Sequence, residues 1–323
     1  MQGEAMLRVR TIHDAADFVG APGDPHDYTD QIDRLFTEGV SRPEWCFVIE
    51  DGQNRVGRIG FEVQPTMSNP TWLGTLPENE LSAFGLDLPW NSSFETAGRA
   101  LFAAAAGALP EIPETLEIRT NNEIHPHHRE RRELLTALGF DLFIEKQGFS
   151  WVDDGSAVEV PTRLTYKTIE DAGIDTFRLV MGQCGDGSLD RNDRYYWDGS
   201  GPQNWALQMT EYASEDDTTM WLIGYENDEA VGYVAVGSDE DWGSTIIHVG
   251  VLPDHRGNGY IDDLIAAGTA AAQDHGITFM LSDVDVVNLP MMAAMRRAGH
   301  REDARPWHVW AYRTDLSSLA AAP

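Results

Sequence analysis

An internal repeat constrains this chain more than any other feature, because two copies of one plan need two hydrophobic cores. Leu7–Ala15 returns as Leu164–Ala172, 157 residues later, and each copy reads as an alternating strand followed by a helix start. The two β-rich runs around a polar turn in 47–61 return in 221–236. The matches occur in the same order along both halves, which predicts a duplicated fold.

The repeat extends to the helices that close each half. A helix is predicted to stop at Gly139 and its counterpart at Gly299, 160 residues later, since glycine tolerates the left-handed geometry of a helix C-terminus. Strands that alternate with helices indicate α/β layering around a mixed sheet. We therefore predict an α/β (α+β) protein with two domains, 1–154 and 155–323.

The charge balance limits the partners of this protein. Its 53 acidic and 23 basic residues give a net charge of −30, which repels nucleic acid and anionic membranes and attracts a cationic amine. An acidic surface that serves only solubility is the alternative. No apolar run is long enough to span a membrane, the N-terminus lacks a secretory pattern, and Cys46 and Cys184 lie far apart. We expect a cytoplasmic protein without disulfides.

A glycine-rich turn between a strand and a helix carries the clearest chemical signal. The apolar run 244–251 reads as a buried strand, and helical composition begins at Ile261. Between them stands Arg256-Gly257-Asn258-Gly259-Tyr260. The first amides of a helix have no intrahelical acceptor, glycines let an anion approach the backbone, and an arginine adds charge. The order predicts a phosphate site, although many such turns contain glycines for conformational reasons alone.

Residues 249–260 resemble the acetyl-CoA motif of the GNAT superfamily, in which an Arg or Gln is followed by two residues, Gly, one residue, and Gly or Ala. Arg256 and Gly259 fit this motif, and Ile261 departs from its last position. Asn288 and the segment 298–300 are similar to a second family segment beside the CoA arm. The duplicated plan resembles tandem GNAT proteins of actinobacteria, which implies two domains that each have a mixed, mostly antiparallel sheet flanked by helices.

The resemblance implies an N-acetyltransferase that moves an acyl group directly from acetyl-CoA to a small amine, without a metal. It places the cosubstrate on Val249, Val251, Asn288 and the turn Arg256, Gly257, Asn258, Gly259, Tyr260 and Ile261. It also gives the Val251 amide the task of polarising the thioester carbonyl. A non-catalytic CoA-binding or sensory protein is the alternative, and a purely structural duplicated domain is a third possibility.

The catalytic base and acid are weakly marked in the sequence. His248 has the wrong parity to share a face with Val251 unless a bulge intervenes. Asp283 and Asp285 lie on the strand before Asn288, where they either serve the reaction, cap a loop or pair with Arg296. The resemblance places a tyrosine seven residues after Asn288, where this chain has Met295. Tyr260 or Tyr312 could supply the acid instead, as could a water chain.

Aromatic residues beside carboxylates mark a possible acceptor site. Tyr195, Tyr196, Trp197 and Asp198 lie in a region that borders the acceptor site in GNAT-like folds, and such a set can hold a cationic amine. An amphipathic helix with its aromatics in the core explains them equally well. The histidines of 125–128 lack the further ligands that zinc needs, and we interpret Cys184 as a loop residue.

The first half lacks the glycine turn. After Leu88-Pro89 comes Trp90-Asn91-Ser92-Ser93-Phe94-Glu95, without an Arg-Gly-x-Gly sequence. A hydroxyl of Ser92 or Ser93 could cap the following helix and occupy its amides, and Glu95 would repel a diphosphate. We therefore predict one CoA site per chain and a supporting role for the first half.

Overall fold

The chain divides into two compact units. Unit 1 comprises residues 1–73, 77–143 and 310–323, and unit 2 comprises 74–76 and 144–309. The structure, a computed structural model, describes residues 7–18, 29–63, 80–91, 93–109, 115–121, 126–212, 218–239, 243–302 and 309–320. The units are discontinuous in sequence and do not coincide with the division into 1–154 and 155–323, which stays a prediction about the repeats.

Unit 1 is a sheet covered by helices. Its described strands follow the order β1-β2-β3-β4-β5-β13, and β4 pairs with β5 in parallel while β1 to β4 pair antiparallel. The strands are β1 (Leu7–Thr11), β2 (Cys46–Asp51), β3 (Asn54–Val63), β4 (Glu80–Asp87), β5 (Thr115–Asn121) and β13 (Val309–Asp315). The helices are α1 (Ala15–Phe18), α2 (Thr29–Glu38), α3 (Phe94–Ala108), α4 (His128–Ala137) and α11 (Leu316–Ala320).

The core of unit 1 follows from helical periodicity in α3. Ala97, Leu101 and Ala105 recur every four residues and are almost completely buried, as is Phe102. They pack with the apolar residues of β2 and β3 into one cluster. Burial of this stripe stabilises α3 far more than its intrinsic helix propensity does.

Unit 2 contains two sheets among its described residues. Strands β7 to β10 form an antiparallel sheet in the order β10-β9-β8-β7, and β6 pairs antiparallel with β11 and β12. The strands are β6 (Asp141–Val152, in unit 2 from residue 144), β7 (Thr165–Thr168), β8 (Trp221–Glu226), β9 (Glu229–Asp239), β10 (Gly243–Val251), β11 (Phe279–Asp285) and β12 (Arg301–Glu302).

The helices of unit 2 cover these sheets. They are α5 (Ile169–Ala172), α6 (Ile174–Cys184), α7 (Arg191–Ser200), α8 (Pro202–Tyr212), α9 (Tyr260–Asp274) and α10 (Leu289–Arg297). Helix α9 lies close to β9 at Gly268. A Cβ at this position would come within 2.7 Å of the Val234 side chain. Glycine at this position therefore sets the distance between helix and strand.

Strand β10 contains a bulge that changes which face of the strand its later side chains point to. Ile246 lies opposite Val236 and His248 opposite Ala235, so one extra residue is inserted between them. A bulge of this kind reverses the alternation of the side chains that follow it. The extra residue lies before His248, and the pairing from His248 to Val251 is regular. His248 and Val251 therefore still point to opposite faces of the strand, as their spacing predicts.

The predicted fold class is confirmed, since each unit combines helices with a mixed or antiparallel sheet. Within the described part of the chain, no helix has the length and apolar character that a membrane crossing requires.

Candidate functional site

A cleft of about 1030 Å³ opens between β10 and β11 in unit 2. Each of the two strands ends its own sheet, and the described strands form no ladder across the gap. At the closed end the Ile246 amide donates to Ser282 Oγ at 3.1 Å. The edge of β10 therefore presents backbone groups to the cleft, in which an extended ligand can bind as an added strand.

The glycine turn forms one end of this cleft. Gly257 and Gly259 have φ angles of 82° and 78°, in the left-handed region that only glycine occupies without strain. Gly259 is the N-cap of α9 and has no side chain to accept from the first helical amides. Gly257, Gly259, Tyr260 and Ile261 line the cleft, so the amide end of the helix dipole faces it.

Arg256 binds the protein backbone in this structure. Its Nε donates to the Val251 carbonyl at 3.1 Å, and its Nη2 donates to the Cys184 carbonyl at 2.9 Å. The side chain thereby joins β10 to the end of α6. The phosphate contact of Arg256 stays a prediction, and these bonds give the side chain a structural role as well.

Arg163 is a second arginine at the turn that the sequence did not mark. Its Nη1 donates to the Asn258 carbonyl at 2.9 Å, its Nε donates to Asp263, and its guanidinium lies 4.4 Å from the centre of the Tyr260 ring. The Asn258 side chain donates to the His255 carbonyl at 3.1 Å. These bonds hold the turn in shape, and Arg163 lies too far away in sequence for a local motif to reveal it.

The aromatic candidates for a general acid have other partners. The Tyr260 hydroxyl donates to Glu226 at 2.6 Å. Tyr312 is buried in unit 1, where its hydroxyl accepts from Arg132 at 2.9 Å. Met295 lies in the cleft wall and brings only a thioether.

The remaining residues predicted to bind the cosubstrate lie along the cleft. Val249, Val251 and Ile261 line it and also pack against the core. Asn288 lines it and caps α10, because its Oδ1 accepts from the Met291 amide at 3.3 Å. The residues predicted to bind the cosubstrate thus lie along one cleft, except Asn258, whose side chain donates to the His255 carbonyl within the turn.

Five titratable side chains line the cleft where it approaches α7: Lys146, Asp190, Asp193, His248 and Asp283. His248 Nε2 lies 2.8 Å from Asp193 Oδ2, and its Nδ1 bonds to the Tyr233 hydroxyl. Asp190 caps α7 by accepting from the amides of Asn192 and Asp193. The sequence suggested His248 and Asp283, whereas Lys146, Asp190 and Asp193 come from segments distant from both in sequence.

These groups shift one another's protonation. Burial opposes a charge on His248, but the neighbouring Asp193 carboxylate outweighs burial and raises the pKa of His248. Burial would raise the pKa of Asp193, and His248 with Lys146 reverses this so that it lies below its ordinary value. Burial and the Asp193 carboxylate raise the pKa of Asp190. Asp193 and His248 therefore behave as one titrating pair.

Asp285, the other catalytic candidate, is completely buried in a bidentate ion pair. Arg191 Nε and Nη2 donate to its two carboxylate oxygens, both at 2.8 Å. Asp283 bonds to Lys146 at 2.9 Å, and Arg296 pairs with Glu302 instead of either aspartate. Asp285 thus anchors the start of α7, and it does not line the cleft.

The predicted acceptor residues lie elsewhere. None of Tyr195, Tyr196, Trp197 and Asp198 lies among the described residues that line the cleft. Tyr196 and Trp197 pack against the core, and Trp197 Nε1 donates to the Gly182 carbonyl at 2.8 Å. Asp198 is exposed and lies 4.0 Å from Arg194. Helix α7 meets the cleft through Asn192 and Asp193 in its first turn, about one turn before the aromatics.

The other residues examined in the sequence have structural contacts. Cys184 is buried against Gly250, and burial raises the pKa of its thiol, which disfavours a thiolate nucleophile. In unit 1, His127 stacks on Trp90 and His128 on Trp310. His125 lies outside the described residues.

Unit 1 lacks a glycine turn at the corresponding position. Ser93 precedes α3 without a side-chain cap bond, and its hydroxyl donates to Asn91 at 2.6 Å, so the predicted occupation of the helix amides by Ser93 is wrong. Ser92 lies outside the described residues. Where β4 and β5 diverge, the buried Arg131 donates to the Leu86 carbonyl and lies 4.5 Å from the Trp90 ring.

Comparisons with known proteins agree with this architecture. Residues 188–300 match the model of the acetyltransferase (GNAT) family. A GCN5-related N-acetyltransferase from Sphaerobacter thermophilus is 16% identical over 96% of both chains, with a TM-score of 0.61. A tandem GNAT protein from the clavulanic acid biosynthesis pathway is 15% identical over 96% of this chain and 98% of its own, with a TM-score of 0.54.

A third structure shares the fold within a longer protein. It is a GCN5-related glucosamine N-acetyltransferase region of a fungal multi-domain β-N-acetylglucosaminidase, 12% identical over 96% of this chain and 38% of that one, with a TM-score of 0.57. A search of curated proteins finds no match. At these identities the structural likeness concerns the fold, whereas the family match supports acyl transfer in general. The segment 188–300 therefore belongs to the GNAT acetyltransferase family, in a chain that has the fold of tandem GNAT proteins.

Proposed function

We propose that unit 2 binds acetyl-CoA between β10 and β11 and transfers its acetyl group to a small amine. The observation that carries this proposal is the cleft itself, which joins an open strand edge to a helix N-terminus with two left-handed glycines. An open edge suits the amides of a pantetheine arm, and a helix N-terminus suits a diphosphate. Acetyl-CoA supplies an activated acyl group when it is bound.

The residues of the turn and strand divide the binding between them. The backbone of 257–261 would meet the diphosphate, and the free edge at Val249 and Val251 would meet the pantetheine amides. At the same edge the Val251 amide would polarise the thioester carbonyl. Asn288 would shape the wall beside the arm, since it already fixes the start of α10.

The acceptor amine would enter beside Asp190 and Asp193. Both carboxylates line the cleft together with one lysine, and the chain as a whole carries a charge of −30. This field favours a cationic amine. An ammonium group must lose a proton before it attacks a carbonyl, and the Asp193–His248 pair is the titrating unit within the cleft that can receive it.

His248 does not act alone in this arrangement. Both of its ring nitrogens have partners, Asp193 on one side and Tyr233 on the other. The amine therefore meets Asp193, and His248 shares the proton that the pair gains. The raised pKa of His248 means that the proton-accepting form of the pair becomes abundant only above the usual pKa of histidine.

Turnover with defined amines tests this function. The full chain is incubated with acetyl-CoA and putrescine, phenethylamine or glucosamine, and free thiol release and the N-acetyl product are measured together. We expect thiol and acetylated amine to be released in equal amounts, with putrescine, which carries two positive charges, favoured over phenethylamine and glucosamine, which carry at most one, at equal pH. Acetyl-CoA binding without turnover of any amine would instead support the CoA-binding protein, for which Met295 and the engaged Tyr260 hydroxyl provide a reason.

A further inference from the structure

Lys146 enters the cleft from strand β6, which lies within the first predicted domain (1–154) in sequence and belongs to unit 2 in the fold from residue 144. Strand β6 runs antiparallel to β11 with Lys146 opposite Asp285. Lys146 is one of only two lysines in the chain, and its side chain is 21% exposed. The cleft of the second repeat thus contains a residue that lies outside the segment matched by the family model.

The ammonium group of Lys146 joins two elements. Its Nζ lies 2.9 Å from Asp283 Oδ1 on β11 and 3.4 Å from Asp190 Oδ2. The other oxygen of Asp190 accepts from the amides of Asn192 and Asp193. Lys146 therefore fixes the residue that caps α7, and through it the first turn that carries Asp193.

The charges around Lys146 come from every element packed against it. They are Asp283 on β11, Asp190 and Asp193 at the start of α7, His248 on β10, and the Arg191–Asp285 ion pair. Burial opposes the charge on Lys146, and the carboxylates of Asp283 and Asp190 outweigh burial and raise its pKa. Without this cation, three mostly buried carboxylates would face one another, which costs free energy unless one of them takes a proton.

We propose that Lys146 is a positioning residue for the acceptor amine: it holds Asp190 and Asp283 together and thereby sets the place of Asp193 beside His248. The inference rests on the proposed acceptor site, since it is Asp193 that meets the amine there. Lys146 itself keeps its proton and does not act as the base. Lys146 therefore affects amine binding and the titration of the Asp193–His248 pair. It should not affect acetyl-CoA binding, which occurs at the other end of the cleft.

Lys146→Met tests this role, with Lys167→Met as the matched control. Lys167 is the other lysine of the chain and lies on β7, 4.8 Å from the centre of the Tyr225 ring and away from the cleft. With putrescine as the acceptor, we expect Lys146→Met to raise the KM for the amine about tenfold, while the KM for acetyl-CoA changes less than about twofold. Lys146→Arg should restore most of the amine KM, and Lys167→Met should behave as the wild type.

Histidine NMR provides a readout that does not depend on turnover. The His248 resonance, assigned by comparison with His248→Gln, should titrate at higher pH in Lys146→Met than in the wild type, because a nearby cation has been removed. An unchanged His248 titration would overturn the positioning role, whether or not any amine is acetylated. Unchanged amine KM in an active enzyme would do the same.

A folding defect would not obscure the result. If Lys146→Met does not fold, Lys146→Met/Asp283→Asn removes the ammonium group and one opposing carboxylate charge together, and the same two measurements apply. We expect this double variant to bind acetyl-CoA normally and still to show weakened amine binding, because Asp190 has lost its partner. Normal amine binding in the double variant would contradict the proposal. Failure of the wild type to bind acetyl-CoA would count against the proposed function, and the NMR titration would still decide the role of Lys146.

Discussion

Each unit contains neighbouring strands that diverge beside the start of a helix, and the two units differ in what occupies the gap between the strands. In unit 2 the gap between β10 and β11 stays open and ends at Gly257 and Gly259. In unit 1, β4 and β5 form a ladder over their first residues, and Arg131 occupies the region where they part. The comparison shows that a long side chain from the next helix can fill the gap between two diverging strands.

The difference in available volume is large. The described part of unit 1 has a cavity of about 230 Å³ at this position, against about 1030 Å³ in unit 2. Pockets that hold drug-sized ligands measure about 300–1,000 Å³. The cavity that the described residues of unit 1 form at this position is therefore too small for a CoA-sized ligand unless Arg131 and its neighbours move.

The largest expected effect follows from the turn that only unit 2 has. Gly259→Val should weaken acetyl-CoA binding more than about a hundredfold, because a β-branched residue is strained at a φ of 78° and its side chain would stand where an anion approaches the amides. Gly276→Val is the matched control, since Gly276 has a φ of 79°, lies in unit 2 and is not part of the cleft. Calorimetry should show near-normal affinity for the control, and equal losses in both variants would show that strain alone is responsible.

Asp193→Asn tests the acceptor end of the same cleft. We expect kcat/KM for the amine to fall about a hundredfold, within the usual range for loss of a proton-transfer group. Asp193 raises the pKa of His248, so its removal should lower that pKa and move the acid limb of the pH profile to lower pH. A pH profile that keeps its position would show that the pair does not carry the proton.

How much of this site was predictable depends on the distance between its parts in sequence. The residues of 249–261 form a continuous motif, and the structure places those we named from it along the cleft or beside it. Lys146 and Asp193 meet at one end of the cleft, and Arg163 lies beside the turn at the other, only because of the fold, and no local pattern in the sequence links them. Tyr195–Asp198 lie away from the cleft because the N-cap at Asp190 determines which turn of α7 reaches it.

The fold was predictable as a class and less so in its strand order. Repeats reveal which elements recur, and the α/β class follows from their alternation. They do not reveal which sheet a strand joins, because ladder partners depend on long-range packing. Strand β6 pairs with β11, and residues 310–323 belong to unit 1, so a fragment that starts at residue 157 would lack a strand of unit 2.

Replacement of Arg256 should have a moderate effect on acetyl-CoA binding. Arg256→Ala should weaken acetyl-CoA about tenfold at low salt and less at high salt, since salt screens an exposed ion pair. A salt-independent part of the loss would report the bonds from Arg256 to the carbonyls of Val251 and Cys184. Arg194→Ala, at an arginine that is 63% exposed on α7, is the control and should change neither quantity.

Arg131 should affect unit 1 without affecting cosubstrate binding. Arg131→Leu removes buried hydrogen bonds to the Leu86 and Pro126 carbonyls and should lower the free energy of unfolding by about 2–4 kcal/mol. Arg129→Leu lies on the same helix at a side chain that is 75% exposed and should be close to neutral. Chemical unfolding measures the difference, and a new acetyl-CoA site in Arg131→Leu would mean that unit 1 retains more of the site than we infer.

Calorimetric titration of the full chain with acetyl-CoA tests the central contrast between the units most directly. We predict one acetyl-CoA site per chain in the wild type and none in Gly259→Val. Among the described residues, only unit 2 combines helix amides without a side-chain cap, two left-handed glycines and an open strand edge. Two sites per chain would contradict it. So would one site that survives in Gly259→Val, since the cosubstrate would then bind elsewhere than at the turn.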